Sequence, residues 1–417
     1  MEHNDGTSLV AWLIERALEG ASGGELLEAF CTRLMAGGLP MLRAQAGTTV
    51  LDPTFEAHSF SWQRGHGVSM REYARREDIW NHKSWTSSPF HHLQVTSGRS
   101  LRRRIGPAES GEEFPLLREL RQIGGTDYLA FRVPYANPQL ADGELDLMIS
   151  WTTDRPEGFS EAEIGTLGEE APAVALASNH ARNALVTRNV LATYLGSDAA
   201  RRVLGGNVVR GRAEHIEAAI WFSDLEGFTR IADELPQDEV LVLLNDYAAC
   251  LVEVVESHGG EVLKFIGDGI LAIFRDDDPA AACARALDAA DMAQAAIASL
   301  SSRRTSEGLR TTGVCVALHR GELLYGNFGG DRRLDFTALG SAINEASRMQ
   351  ALCHSLDQQV VVSAAFAAAA GLGRRRLVGL GAQRRRPPPG AVHPRLRGRL
   401  TPPPVRRRGE VRLRGFR

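Results

Sequence analysis

Residues 261–274, EVLKFIGDGILAIF, carry a strong local signal for β-structure. Their two apolar runs, Glu261–Ile266 and Gly269–Phe274, are separated only by the pair Gly267-Asp268. Short apolar runs joined in this way are typical of a β-hairpin. The segment therefore predicts two antiparallel strands, with the carboxylate of Asp268 at their turn.

A second carboxylate lies upstream, at the end of another apolar run. Ala218–Ser223 (AAIWFS) predicts a strand that ends at Asp224, and Pro236–His258 has the i, i+3, i+4 apolar spacing of an amphipathic helix. If this strand and the hairpin are neighbours in one sheet, Asp224 and Asp268 converge, and their hard oxygen ligands suit magnesium. Taken alone, each aspartate is more often a turn former than a metal ligand.

Three motifs, in order, resemble the catalytic domain of class III adenylate and guanylate cyclases. They are FSDLEGFT (222–229), EVLKFIGDGILAIF (261–274) and FTALGSAINEASRM (336–349). The resemblance covers about residues 214–370 and predicts a catalytic domain over 214–373. It implies an α+β fold with a ferredoxin-like core, and a head-to-tail homodimer with active sites at the interface.

The resemblance also implies a reaction, the conversion of ATP to 3′,5′-cyclic AMP and pyrophosphate. Asp224 and Asp268 would hold two Mg²⁺ or Mn²⁺ ions per active site, one activating the ribose 3′-hydroxyl and the other neutralising the triphosphate. Asn344 and Arg348 lie four residues apart, so they share one helix face. In this family the asparagine orients the ribose and the arginine stabilises the charge of the transition state.

Further residues are implied in substrate binding. Backbone amides at a helix start suit anions, and a phosphate cradle is expected at four residues: Leu225, Gly227, Phe228 and Thr229. Lys264 and Thr337 occupy the positions that contact the purine in this family, and the Lys/Thr pair resembles the ATP-selective bacterial type. Lys83 and Lys264 are the only lysines of the chain, which suggests that arginine does not serve at position 264.

Three alternatives stay open on sequence alone. A guanylate cyclase would more often carry Glu at the position of Lys264. A diguanylate cyclase shares a related core, but IGDG (266–269) stands where its Gly-Gly-Asp/Glu-Glu-Phe hairpin would be. The third alternative is a signalling module that dimerises and binds nucleotide without turnover. It is motivated by the C-terminus, where an Arg/Pro-rich tail replaces the strands and basic residue of the family pattern.

Residues 1–178 are predicted to form a GAF-like α/β sensor domain, followed by a helical connector over 179–213. Apolar spacing predicts two opening helices, and DYLAFRVPY (127–135) and LDLMISWT (145–152) predict a hairpin-rich sheet. Ser160 and Glu163 form a capping-box pattern that opens a helix through about residue 186, with another helix over 194–204. The input to this domain would be an unidentified small molecule or protein.

An aromatic and histidine cluster in the same region has two interpretations. His82, His91 and His92, with Trp80, Trp85 and Phe90, would line a ligand pocket in the first. In the second they are ordinary core and surface residues, which is the more frequent case for such clusters.

Charge is distributed unevenly along the chain. The net formal charge is −3, but residues 374–417 hold fifteen arginines and one acid, Glu410, so the preceding residues carry about −17. Seven prolines and no apolar periodicity predict disorder in this tail. It is either a basic arm for nucleic acid or anionic lipid, or the product of a reading-frame shift near codons 375–390. No specific nucleic-acid partner is expected.

Composition narrows the class of protein. With 43% hydrophobic and 24% charged residues the chain is typical of globular proteins. No apolar run approaches the ~18 to 20 residues of a spanning helix, and the first residues do not resemble a secretory leader. The five cysteines are spread singly, which argues against a disulfide framework or a structural zinc site. A cytoplasmic protein is the expectation.

Overall fold

The computed structural model describes residues 8–75, 79–106, 113–136 and 144–372. The chain divides into two units, Met1–Gly206 and Asn207–Arg417. The tail over 374–417 lies outside the described residues. Within them, no helix is both long enough and apolar enough to cross a bilayer.

The first unit is built on a six-stranded antiparallel sheet with the order β3-β2-β1-β6-β5-β4. The strands are β1 Arg43–Thr49, β2 Phe55–Gln63, β3 Gly67–Ala74, β4 Ser100–Arg104, β5 Asp127–Ala136 and β6 Glu144–Thr153. The two strands that the sequence predicts are β5 and β6, and they pair directly. The other four carry polar and charged residues in place of β-branched runs, and local sequence patterns did not predict them.

Helices pack around this sheet, and the longest is continuous. The helices are α1 Leu9–Leu18, α2 Gly23–Ala36, α3 Lys83–Thr86, α4 Pro89–Val95, α5 Pro115–Gln122, α6 Glu161–Leu195 and α7 Ser197–Leu204, with a 3₁₀ turn at Ile79–Asn81. The predicted capping box opens α6, with Ser160 and Glu163 bonding each other's backbone N–H. The predicted end of this helix near residue 186 is wrong, because α6 runs to Leu195. The predicted domain boundary at residue 178 falls inside it.

The second unit contains a five-stranded sheet with the order β11-β10-β7-β9-β8, and β12 pairs with β10 in parallel. Its strands are β7 Ala213–Leu225, β8 Gly260–Ile266, β9 Gly269–Phe274, β10 Val314–Gly330, β11 Arg333–Leu339 and β12 Val360–Val362. Its helices are α8 Phe228–Glu234, α9 Gln237–Ser257, α10 Pro279–Ser306, α11 Ser341–Leu356 and α12 Ala364–Ala369. The antiparallel order β10-β7-β9-β8 with α9 and α10 between strands is the ferredoxin-like α+β arrangement.

The core of the second unit forms where α9 and α10 pack on the sheet. The apolar face predicted for α9 is buried there through Leu243, Tyr247, Leu251, Val254 and Val255. Gly259, with φ +73°, takes the left-handed conformation that ends the helix and redirects the chain into β8. Packing on this face fixes β7, β8 and β9, and therefore the turns at their ends.

Candidate active site

Asp224 and Asp268 lie side by side at one edge of the second sheet. Asp224 is at the end of β7, Asp268 is in the β8–β9 turn, and β7 pairs with β9. The backbone N–H of Leu225 donates to Oδ2 of Asp268 at 3.0 Å, which draws the turn against the end of β7. The structure therefore brings together the two carboxylates that the sequence pattern places at separate turns.

Two glycines allow this approach. Gly267 has φ +64°, a conformation that residues with a Cβ rarely adopt. A Cβ on Gly269 would lie 2.6 Å from the carbonyl oxygen of Ser223 and 3.3 Å from Oδ1 of Asp224. The Gly-Asp-Gly turn is thus the part of the hairpin that must pass directly over the strand end.

The two carboxyl groups of this pair interact electrostatically. Burial, together with the neighbouring carboxyl of Asp268, raises the pKa of Asp224 to about 7. Two adjacent carboxylates resist joint ionisation unless a positive charge lies between them. Hard carboxylate oxygens at a partly buried site fit Mg²⁺ or Mn²⁺. In the described part of the chain no group of three or more His, Cys, Asp or Glu side chains forms a metal cage, so phosphate and water oxygens would complete the coordination.

The expected phosphate cradle lies at the turn from β7 into α8. Some of its backbone N–H groups already have acceptors within the protein. The N–H of Leu225 is occupied by Asp268, and that of Glu226 donates to the carbonyl of Gly313 at 2.9 Å. The assignment of Leu225 as a phosphate-binding amide is therefore not supported by this geometry. Gly227 has a left-handed backbone conformation, with φ +65°, and directs the chain into α8. The first N–H groups of a helix have no partner within it, so those of Gly227, Phe228 and Thr229 are available to an anion.

The two expected purine contacts lie on β8 and β11. These strands are at opposite ends of the strand order, yet the sheet curls so that Lys264 forms an ion pair with Asp335. Asp335 and Thr337 are two residues apart on β11 and therefore share a face of that strand; Thr337 is buried. Sequence reasoning missed Asp335, and the available signal was its alternation with Thr337.

Helix α11 presents two different faces. Asn344 and Arg348 are both exposed and four residues apart, so they share the outward face. The opposite stripe, Ala342, Ala346 and Cys353, is buried. The outward face is where residues acting on a nucleotide bound by another chain would stand.

The histidine and aromatic cluster of the first unit is engaged in local packing. Trp80 and Trp85 make an edge contact with centroids 5.2 Å apart, and Trp85 does the same with His91 at 5.9 Å. Phe90 is buried in a small core with Tyr128, and the side chain of His82 caps α3. These contacts favour the interpretation as core and surface residues.

Comparison with known proteins identifies the second unit. Residues 212–371 match the model of the adenylate and guanylate cyclase catalytic domain. Together with the α+β fold, this match shows that the chain carries a class III nucleotidyl cyclase catalytic domain. The GAF-like character of the first unit remains a prediction.

Several known proteins are similar to parts of this chain. An adenylate cyclase of Anabaena cylindrica is 32% identical over 161 residues, which are 38% of this chain and 31% of that protein. Adenylate cyclase 1 of Rhizobium meliloti is 28% identical over 215 residues, 50% of this chain and 30% of that protein. The crystal structure of the guanylyl cyclase Cya2 is 29% identical, with a TM-score of 0.34, and the match covers 38% of this chain and 80% of that one. The chain thus spans about a third of the length of these two curated relatives.

Proposed function

We propose that this chain is an adenylate cyclase that forms 3′,5′-cyclic AMP and pyrophosphate from ATP in a homodimer. The main support for this proposal is that Asp224 and Asp268 lie next to each other at the ends of β7 and β8, inside the cyclase domain. Their oxygens would hold two Mg²⁺ or Mn²⁺ ions. When bound, such ions supply Lewis-acid activation of the 3′-hydroxyl and charge neutralisation on the triphosphate.

The other residues of the chain position the nucleotide. The N–H groups of Gly227, Phe228 and Thr229, at the start of α8, would donate to phosphate oxygens. Asn344 would hydrogen bond the ribose, and the guanidinium of Arg348 would lie against the charge that develops at the phosphate under attack. In phosphoryl transfer, positioning and preorganised positive charge contribute most of the rate enhancement.

Exposed apolar residues near these elements support the dimer. Phe265 and Ile266 at the end of β8, and Phe328 and Leu334 in the β10–β11 hairpin, are all more than 40% exposed. A cluster of exposed large apolar side chains is typical of an interaction surface. Because Asn344 and Arg348 stand on the outward face of α11, a second copy would bring them to the nucleotide held by its partner's carboxylates.

The preference for ATP rests on Lys264 and Thr337. Their side chains would contact the purine edge, and Asp335 would hold the ammonium of Lys264 in place. The family's guanylate enzymes more often carry Glu where this chain carries Lys264. Adenine and guanine differ at the edge that such groups recognise, so the exchange of a cation for an anion should reverse the preference.

The first unit would tune the dimer in response to a small molecule or protein. The end of β1 and the β1–β2 connection each bond to α6: Arg182 donates to the carbonyl of Thr49 at 3.3 Å, and Asn189 donates to the buried carboxylate of Asp52 at 2.9 Å. A structural change in this sheet would therefore be transmitted to α6, which precedes the cyclase domain in the chain.

Purified protein is expected to form cyclic AMP with ATP and Mn²⁺, and to turn over ATP at least tenfold faster than GTP. Lys264→Glu should lower the ATP rate by about tenfold or more, because losing a polar contact to the base costs about 1.4 kcal/mol or more. The exposed Lys83→Glu is the matched control and should keep the wild-type ratio. Faster turnover of GTP by the wild type would overturn the ATP assignment, and ATP binding without any product would indicate a nucleotide-binding module.

A further inference from the structure

Among the described side chains of α11, Gln350 is a polar residue on the inward face that the proposed mechanism does not use. Gln350 continues the buried stripe of Ala342 and Ala346 at a spacing of four residues, where an apolar side chain is the usual occupant. Its Nε2 donates to Oδ2 of Asp224 at 3.4 Å. Asp224 therefore accepts a hydrogen bond that an apolar residue at position 350 could not donate.

We propose that Gln350 is a positioning residue for Asp224, and that it sets the affinity of the site for divalent cations. This inference rests on the proposed metal-binding role of the two aspartates. Hydrogen bonds from outer groups orient a ligating carboxylate, and removing such a partner typically lowers metal affinity by about 10- to 100-fold. Oδ2 of Asp224 accepts from Gln350 and Oδ2 of Asp268 accepts from the N–H of Leu225, so each carboxylate has a donor from outside the pair.

The same helix would then serve both active sites of a dimer. Successive residues of an α-helix are about 100° apart, so Gln350 points about 200° away from Arg348. Gln350 reaches the carboxylate of its own chain, whereas Asn344 and Arg348 stand on the outward face. A displacement of α11 would change the metal site of one protomer and the ribose and phosphate contacts of the other together.

The test is Mn²⁺ binding to the full-length protein without nucleotide, measured by the loss of the electron paramagnetic resonance signal of free Mn²⁺. Gln350→Met keeps the length of the side chain and removes the donor, and it is expected to weaken binding about tenfold. Gln350→Asn keeps the amide but retracts it by one methylene, and should weaken binding as well. Gln358→Met, the same substitution just beyond α11, is the control and should bind like the wild type.

The outcomes separate the inference from the proposed function. Wild-type affinity in a folded Gln350→Met or Gln350→Asn protein overturns the inference, provided that Asp224→Asn loses binding. Equal binding by the wild type and Asp224→Asn overturns the metal site itself, and the inference with it. In the cyclase assay, Gln350→Met should need about tenfold more Mn²⁺ for half-maximal rate and recover kcat at saturating Mn²⁺; a purely structural role would lower kcat at every Mn²⁺ concentration.

Discussion

Asp268→Asn is expected to reduce cyclic AMP formation by about a thousandfold, because loss of metal-assisted stabilisation of about 4 kcal/mol corresponds to three decades in rate. The substitution preserves the shape of the side chain and an oxygen that accepts from the N–H of Leu225. It removes one of the two negative charges that would hold the cations. The measurement is cyclic AMP formed from ATP and Mn²⁺ by the purified variant.

The fold should survive this substitution. Repulsion between the two carboxyl groups contributes to the raised pKa of Asp224, so neutralising Asp268 should leave thermal unfolding without metal unchanged or at a slightly higher temperature. Added Mn²⁺ should then no longer raise the unfolding temperature, since ligands stabilise only the state that binds them. Asp291→Asn, an exposed aspartate on α10, is the matched control. Near-wild-type turnover by Asp268→Asn would contradict the metal assignment.

Mixing two inactive variants is expected to restore activity. Asp268→Asn damages the metal site of its own chain, and Arg348→Ala damages the contact that this chain would make to its partner's nucleotide. In a twofold-symmetric dimer, the heterodimer of these variants has one fully intact site and one doubly damaged site. Random exchange makes about half of the dimers heterodimers, so the mixture should reach about a quarter of the wild-type rate.

The control is a mixture that cannot complement. Asp268→Asn with Asp224→Asn leaves every site of the heterodimer without one of its two carboxylates, so its rate should stay at the level of the separate variants. Recovery in the first mixture only would mean that the carboxylates and the Arg348 of one active site come from different chains. Equal rates in both mixtures would mean that each active site is built within a single chain.

The parts of the cyclase domain with strong local signals could be predicted from sequence. Two apolar runs around Gly267-Asp268 predict the hairpin over 261–274. Apolar spacing and a terminal glycine predict α9. Both patterns are local, since a strand pair or a helix face is encoded within about twenty residues. The convergence of Asp224 and Asp268 followed once β7 and the hairpin were placed in one sheet.

Contacts between residues far apart in the sequence could not be predicted from these local patterns. Asp335 lies 71 residues from Lys264, and Gln350 lies 126 residues from Asp224, so their partners depend on how the sheet curls and how α11 packs. The occupation of the Leu225 amide by Asp268 depends on the same tertiary geometry. The four strands missed in the first unit have mixed polar faces, and such strands are specified by their neighbours more than by their own composition.

Asp224 and Asp268 are proposed to share divalent cations beside the nucleotide. Crystals grown with Mn²⁺ and a non-cyclisable ATP analogue, measured at the manganese absorption edge, test this directly. We expect anomalous difference peaks between the two carboxylates and the triphosphate, with Asn344 and Arg348 of the second copy against the same nucleotide. Manganese bound elsewhere, with the two aspartates contacting neither ion nor phosphate, would contradict it.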